Sequence, residues 1–164
     1  MEVMLVLLEG LVMSFWLLLV CVVGIANGPA ELVVLYEQDV QDRVIELGYI
    51  TKEKLKKNYT LTSIALFVPI LLFVPAMVYG INGADGFWSG FWQMTIILII
   101  MNLFDRIFID WYWVGHTKAW FIPGTEDLMP YIPMKVAVKK WVGTMIGFPM
   151  LAAIIAGIMT LIVS

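Results

Sequence analysis

Four long stretches of this chain carry no charged side chain: Gly10 to Ala30, Tyr59 to Ala84, Gly86 to Phe104 and Trp141 to Ser164. A helix rises about 1.5 Å per residue and the hydrocarbon core of a bilayer is about 30 Å thick, so about 20 apolar residues make one crossing. Lipid cannot hydrogen-bond the backbone, and runs of this length without strict alternation satisfy their own N–H and C=O groups only as helices. The reading is an all-α, integral membrane four-helix bundle in a single domain. Its spans are expected at about 3–27, 59–80, 86–113 and 137–163. Longer connections cover about 28–58 and 114–136, with a short turn at about 81–86.

Composition agrees. Of the 164 residues only 14% are charged and 62% are hydrophobic, whereas soluble domains carry about 25% charge. A net charge of −3 provides no basic stripe for phosphates, which excludes nucleic-acid binding. Cys21 is the one cysteine, so neither an internal disulfide nor a thiolate cluster can form. The N-terminal apolar stretch lacks a basic leader and carries Glu2 and Glu9, so it reads as a retained span rather than a cleaved signal.

All ten cations lie on one side of this layout. Arg43, Lys52, Lys54, Lys56 and Lys57 fall between the first and second uncharged stretches; Arg106, Lys118, Lys135, Lys139 and Lys140 fall between the third, which ends at Phe104, and the fourth, which begins at Trp141. The positive-inside rule therefore places both long connections in the cytoplasm and both termini outside, with the plasma membrane as the expected location. Tyr59, Tyr79, Trp88, Trp92, Trp111, Trp113, Trp120 and Trp141 mark the span ends, as an interfacial aromatic belt does.

The first connection is patterned. Leu32, Val33, Tyr36, Val40, Val44 and Leu47 recur at helical spacing, opposite Glu37, Gln38, Asp42 and Glu46. This predicts one amphipathic cytoplasmic helix over Glu31 to Leu47, stopped by a left-handed Gly48. Lipid-surface helices are basic on their polar face, and this one is acidic, so it is expected to dock on its own bundle or on a partner chain. Thr51 is placed to cap the next helix. Pro69, Pro75 and Pro149 are expected to remove helical hydrogen bonds inside spans two and four. Gly143 with Gly147, and Gly24 with Gly28, have the small-xxx-small spacing of close helix contacts, including contacts between copies of the chain.

Chemistry concentrates where span three ends. At about 100° per residue, Asn102, Asp105, Arg106, Asp110 and Trp113 share one face, joined by His116 and Thr117 if the helix continues past Gly115. Leu103, Phe104, Ile107 and Trp111 form the opposite, lipid-compatible face. A membrane helix turns its ionisable groups toward protein or water, so the polar stripe is expected to face an interior cavity. The following segment, with Pro123, Gly124, Pro130 and Pro133, reads as an ordered loop that covers it and brings Lys118, Glu126 and Asp127 into reach.

The expected ligand set is Asn102, Arg106, Asp110, Trp113, Lys118 and Asp127, with Arg106 and Lys118 binding an anionic group. If chemistry occurs, His116 with Asp105 or Glu126 is the acid–base candidate. The lone histidine has no partner at ligand spacing, which gives no basis for a metal site. The leading functional expectation is a site at the cytoplasmic membrane boundary for an amphiphilic or anionic ligand, with a membrane-embedded enzyme as one form of it. The others are an oligomeric transporter or channel, and a non-enzymatic subunit that docks a partner through its acidic helix.

Overall fold

The computed structural model describes residues 2–163. It is built from helices, with no strand among the described residues. Helix α1 spans Glu2–Gly24. A 3-10 turn, Pro29–Leu35, and the short helix α2, Gln38–Glu46, form the first connection. Helix α3, Lys52–Pro75, continues as a π-helical turn over Ala76–Ile81. Helix α4, Gly86–Phe104, likewise continues as a π-helix over Asp105–Val114. After a 3-10 turn at Glu126–Leu128, helix α5 runs over Met134–Val163. Four helices, Val3–Gly24, Lys52–Ile81, Gly86–Val114 and Met134–Ile162, are long and apolar enough to cross a membrane.

The expected bundle is present, with shifted ends. The first span stops at Gly24 rather than near 27, because Gly28 takes φ +114° and Pro29 begins the 3-10 turn. The second begins at Lys52, where Thr51 Oγ1 accepts the Lys54 N–H at 3.2 Å. Gly24 and Gly28 therefore do not share a helix face, and the space at Gly24 is filled from within the chain by Leu32. Gly143 and Gly147 remain open on the surface of α5: a methyl group added at either would meet no described atom within 4 Å.

The single amphipathic helix expected over Glu31 to Leu47 is a correction: it breaks at Tyr36 and Glu37, which are both extended. The break turns the Tyr36 ring toward Tyr131 and Trp120, with ring centroids 4.7 and 6.4 Å away. The apolar set is nonetheless the predicted one, since Leu32, Val33, Tyr36, Val40 and Val44 are all buried, while Leu47 is exposed. Gly48, at φ +76°, ends α2 as expected: its N–H donates to Ile45 and that of Tyr49 to Val44, the paired bonds of a Schellman cap. The two connections thus pack on each other as a cap over one end of the bundle.

Helix α4 is the centre of the bundle. Met94, Ile97 and Leu98 are fully buried, and α4 packs along both α1 and α5. On α5, Val138, Val142, Ile146, Met150, Ile154 and Ile158 form an exposed apolar ridge four residues apart, suited to lipid tails.

Helix α3 is tied to this centre at two points. Pro69 has no N–H, so the Ala65 carbonyl loses its helical partner; Trp16 of α1 donates its indole Nε1–H there at 2.8 Å. At the other end, the Tyr79 hydroxyl lies 3.3 Å from the Gly86 carbonyl and 3.5 Å from that of Ala156, so it links α3, α4 and α5. Gly90 makes room for it: a Cβ at that position would overlap the Tyr79 phenol oxygen.

These ties can be tested by coupling. Trp16→Phe should lower stability by about 1–3 kcal/mol, the cost of an orphaned buried carbonyl, and should cost less in a Pro69→Ala background, where residue 69 supplies its own N–H. Thermal unfolding of the four proteins in detergent measures the coupling; strictly additive losses would refute it. Gly90→Ala should destabilise by about 1–3 kcal/mol through overpacking, with the loss recovered in part by adding Tyr79→Leu, which removes the ring that the new methyl group would overlap.

Candidate functional site

The polar end of α4 is π-helical, and this changes its geometry from the regular α-helix that the sequence suggests. Hydrogen bonds from i to i+5 widen the turn, a form that helices adopt mostly in short, functionally specialised pieces. Here the widened turn gathers Asp105, Arg106 and Asp110. Arg106 is 9% exposed. Its Nη1 donates to Asp110 and lies 3.1 Å from Asp105 Oδ2. From α5, Lys140 Nζ reaches Asp110 Oδ2 at 3.3 Å. Two carboxylates and two cations therefore form one neutral cluster, which is the least costly way to hold such charges at the end of a long apolar helix.

Lys140 does not stand out in the sequence, where it is one of several basic residues near the start of span four. Its one signal is position: a cation immediately before the uncharged stretch, on the helix antiparallel to α4, stands level with the end of span three. Asn102 lies one turn deeper, 2% exposed, and neither amide atom of its side chain has a partner among the described residues. The Arg106 Nε–H likewise has no acceptor among them.

Beside this cluster, between α4 and the start of α5, lies a cavity of about 710 Å³. Arg106, Asp110 and His116 supply its ionisable wall; Trp111, Tyr131, Trp141 and aliphatic side chains supply the rest. His116 is held by its Nδ1, 2.6 Å from the Trp111 carbonyl. A carbonyl only accepts, so Nδ1 carries the proton and, in the neutral ring, Nε2 is the acceptor left for another group. Tyr131 is fixed by a closed set of bonds: the Ile122 N–H donates to its oxygen at 3.0 Å, its hydroxyl donates to Thr125 Oγ1 at 2.7 Å, and Thr125 donates to the Ile122 carbonyl at 2.8 Å.

The remaining predicted residues lie elsewhere. Trp113 packs edge-on against Trp120, 5.2 Å between centroids, in the core of the cap. Lys118 is exposed and is not part of the cavity wall. Glu126 accepts the Gly124 N–H at 3.1 Å across its own turn. Asp127 pairs with Arg43 of α2 through two bonds of 3.0 and 3.2 Å. The reason is the reversal at Gly124, φ +83°, which points residues 124–128 toward α2 and leaves residues 129–132 to face the cavity. The Arg43 hydrogen bond holds the Asp127 carboxyl below its ordinary range. Burial pushes the Tyr36 phenol above its own range, with Tyr131, Asp110 and Cys21 adding to the effect, so this ring stays neutral beside the site.

No protein-family model, curated protein or solved structure matches the chain.

The cluster predicts an order of stabilities. Asp110→Asn removes the charged acceptor shared by Arg106 and Lys140 and should cost about 3–5 kcal/mol, the range for breaking a buried pair. Lys140→Met leaves the Arg106 pairing in place and should cost about 1 kcal/mol or less. Thermal unfolding in detergent gives the order, and equal losses would show that Lys140 rather than Arg106 anchors Asp110.

Proposed function

We propose that this is a membrane-embedded binding protein whose α4–α5 cavity takes an amphiphile bearing a phosphate or carboxylate from the adjoining leaflet, the cytoplasmic one in the positive-inside reading. The observation that carries the reading is the cavity itself: about 710 Å³, apolar and aromatic over most of its wall, with Arg106, Asp110 and His116 as its ionisable groups. Ligand sites of this size are built this way, with few polar groups set in apolar walls.

Its rim supports a ligand that arrives through lipid. Ile107, Trp111, Met134 and Val138 are apolar, and each is more than half exposed, so the mouth opens sideways at the membrane boundary. The headgroup anion would take the unpartnered Nε–H of Arg106. A hydroxyl or ammonium on the same headgroup would donate to His116 Nε2. Asp110 orients Arg106, and the tail lies along α5. The role is binding, with no bond-making step assigned; Glu126, turned to its own loop, is not placed to act with His116.

Mass spectrometry of lipids that co-purify in mild detergent or nanodiscs tests the reading. The protein should retain a defined anionic or zwitterionic amphiphile that Arg106→Gln loses. Val138→Trp, which blocks the mouth without replacing a residue of the ion cluster, should lose it while still unfolding cooperatively as a folded protein. Retention of the same lipid population by a folded Val138→Trp protein would refute the proposal.

A further inference from the structure

At the opposite end of the bundle, by the α3–α4 hairpin, a second polar group has no role in the cavity. Glu9 of α1 is 5% exposed. Its Oε2 accepts from Asn82 Nδ2 at 2.9 Å, and the same amide nitrogen donates to Gln93 Oε1 at 2.9 Å. Glu9 Oε1 and Asn82 Oδ1 are both buried with no donor among the described residues. Among those residues no lysine, arginine or histidine pairs with Glu9.

A buried carboxylate with one neutral hydrogen bond is a costly arrangement, and the chemistry of its surroundings says what would relieve it. The two unclaimed atoms are both oxygen acceptors, which suit a positively charged group or a strong donor. Asn82 directly follows the π-helical turn Ala76–Ile81 that ends α3. A helix end leaves carbonyls without helical donors and adds negative potential. Hard oxygen donors at a broken or terminal helix are the means by which membrane proteins hold small cations.

We propose that Glu9 and Asn82 form a binding site for a dehydrated monovalent alkali cation, held between Glu9 Oε1 and Asn82 Oδ1 at the end of α3. Charge selects the valence: one carboxylate and one monovalent ion are neutral together, whereas a divalent ion would leave net charge buried in the bundle. Access is by polar steps to the surface, since Gln93 is half-buried and its Nε2 donates to the exposed Ser89 at 3.2 Å. This site is separate from the cavity and does not rest on the amphiphile reading.

Thermal unfolding in detergent at constant ionic strength, with sodium, potassium or N-methylglucamine chloride, tests it. The wild-type melting temperature should rise saturably with sodium or potassium relative to the bulky organic cation, as it does when a ligand binds only the folded state. Asp85→Asn, at the exposed hairpin, should keep that rise and Glu9→Gln should lose it. Radioactive sodium binding should saturate at one ion per wild-type chain, a reading that stands even if Glu9→Gln fails to fold. Identical wild-type curves in all three salts would overturn the proposal. So would a cation response retained by Glu9→Gln, or stabilisation by acid alone with no alkali-ion dependence.

Discussion

Hydrocarbon offers no hydrogen bonds, and the arrangement of this bundle follows from that. A carbonyl freed inside a membrane helix must find its donor in the protein, so Pro69 of α3 commits α1 to a position where Trp16 meets Ala65. The same requirement places the Tyr79 hydroxyl against the backbones of α4 and α5. Apolar packing alone does not choose between helix arrangements in lipid, because tails solvate leucine as well as another helix does. Polar ties of this kind supply the choice, and the glycine at position 90 provides the space that one of them needs.

The ion cluster obeys the same rule at the end of α4. Arg106 alone would be costly there; Asp105 and Asp110 offset it, and Lys140 restores neutrality from the next helix. The cluster ties α4 to α5 at the base of the cavity and leaves the cavity's polar wall on a fixed support. The Arg106 side chain is part of that wall, and its Nε has no partner among the described residues.

The connections are not linkers. Tyr36, Trp113, Trp120 and Tyr131 interlock through ring contacts, and Arg43 joins Asp127 across the two segments. The polar face of α2 is thereby engaged partly within the chain. Its apolar face is buried under its own cap, so the segment that could have served as a docking helix has its hydrophobic surface already covered.

The number of spans, the bundle class, the apolar face of the first connection and the capping roles of Thr51 and Gly48 were all legible in the chain itself. Each follows from local physics: transfer of apolar runs to lipid, helical periodicity, and the backbone preferences of single residues. The approach of Asp105, Arg106 and Asp110 was legible too, because they are close in sequence on one helix. Other features arise only once the helices pack. Packing made the end of α4 π-helical, broke the amphipathic helix at Tyr36, brought Lys140 in from α5 and sent Glu126 and Asp127 away from the cavity. It also set Glu9 against Asn82, residues 73 positions apart. These outcomes depend on which helix packs beside which and where a loop reverses, and no periodicity or composition within one segment carries that information.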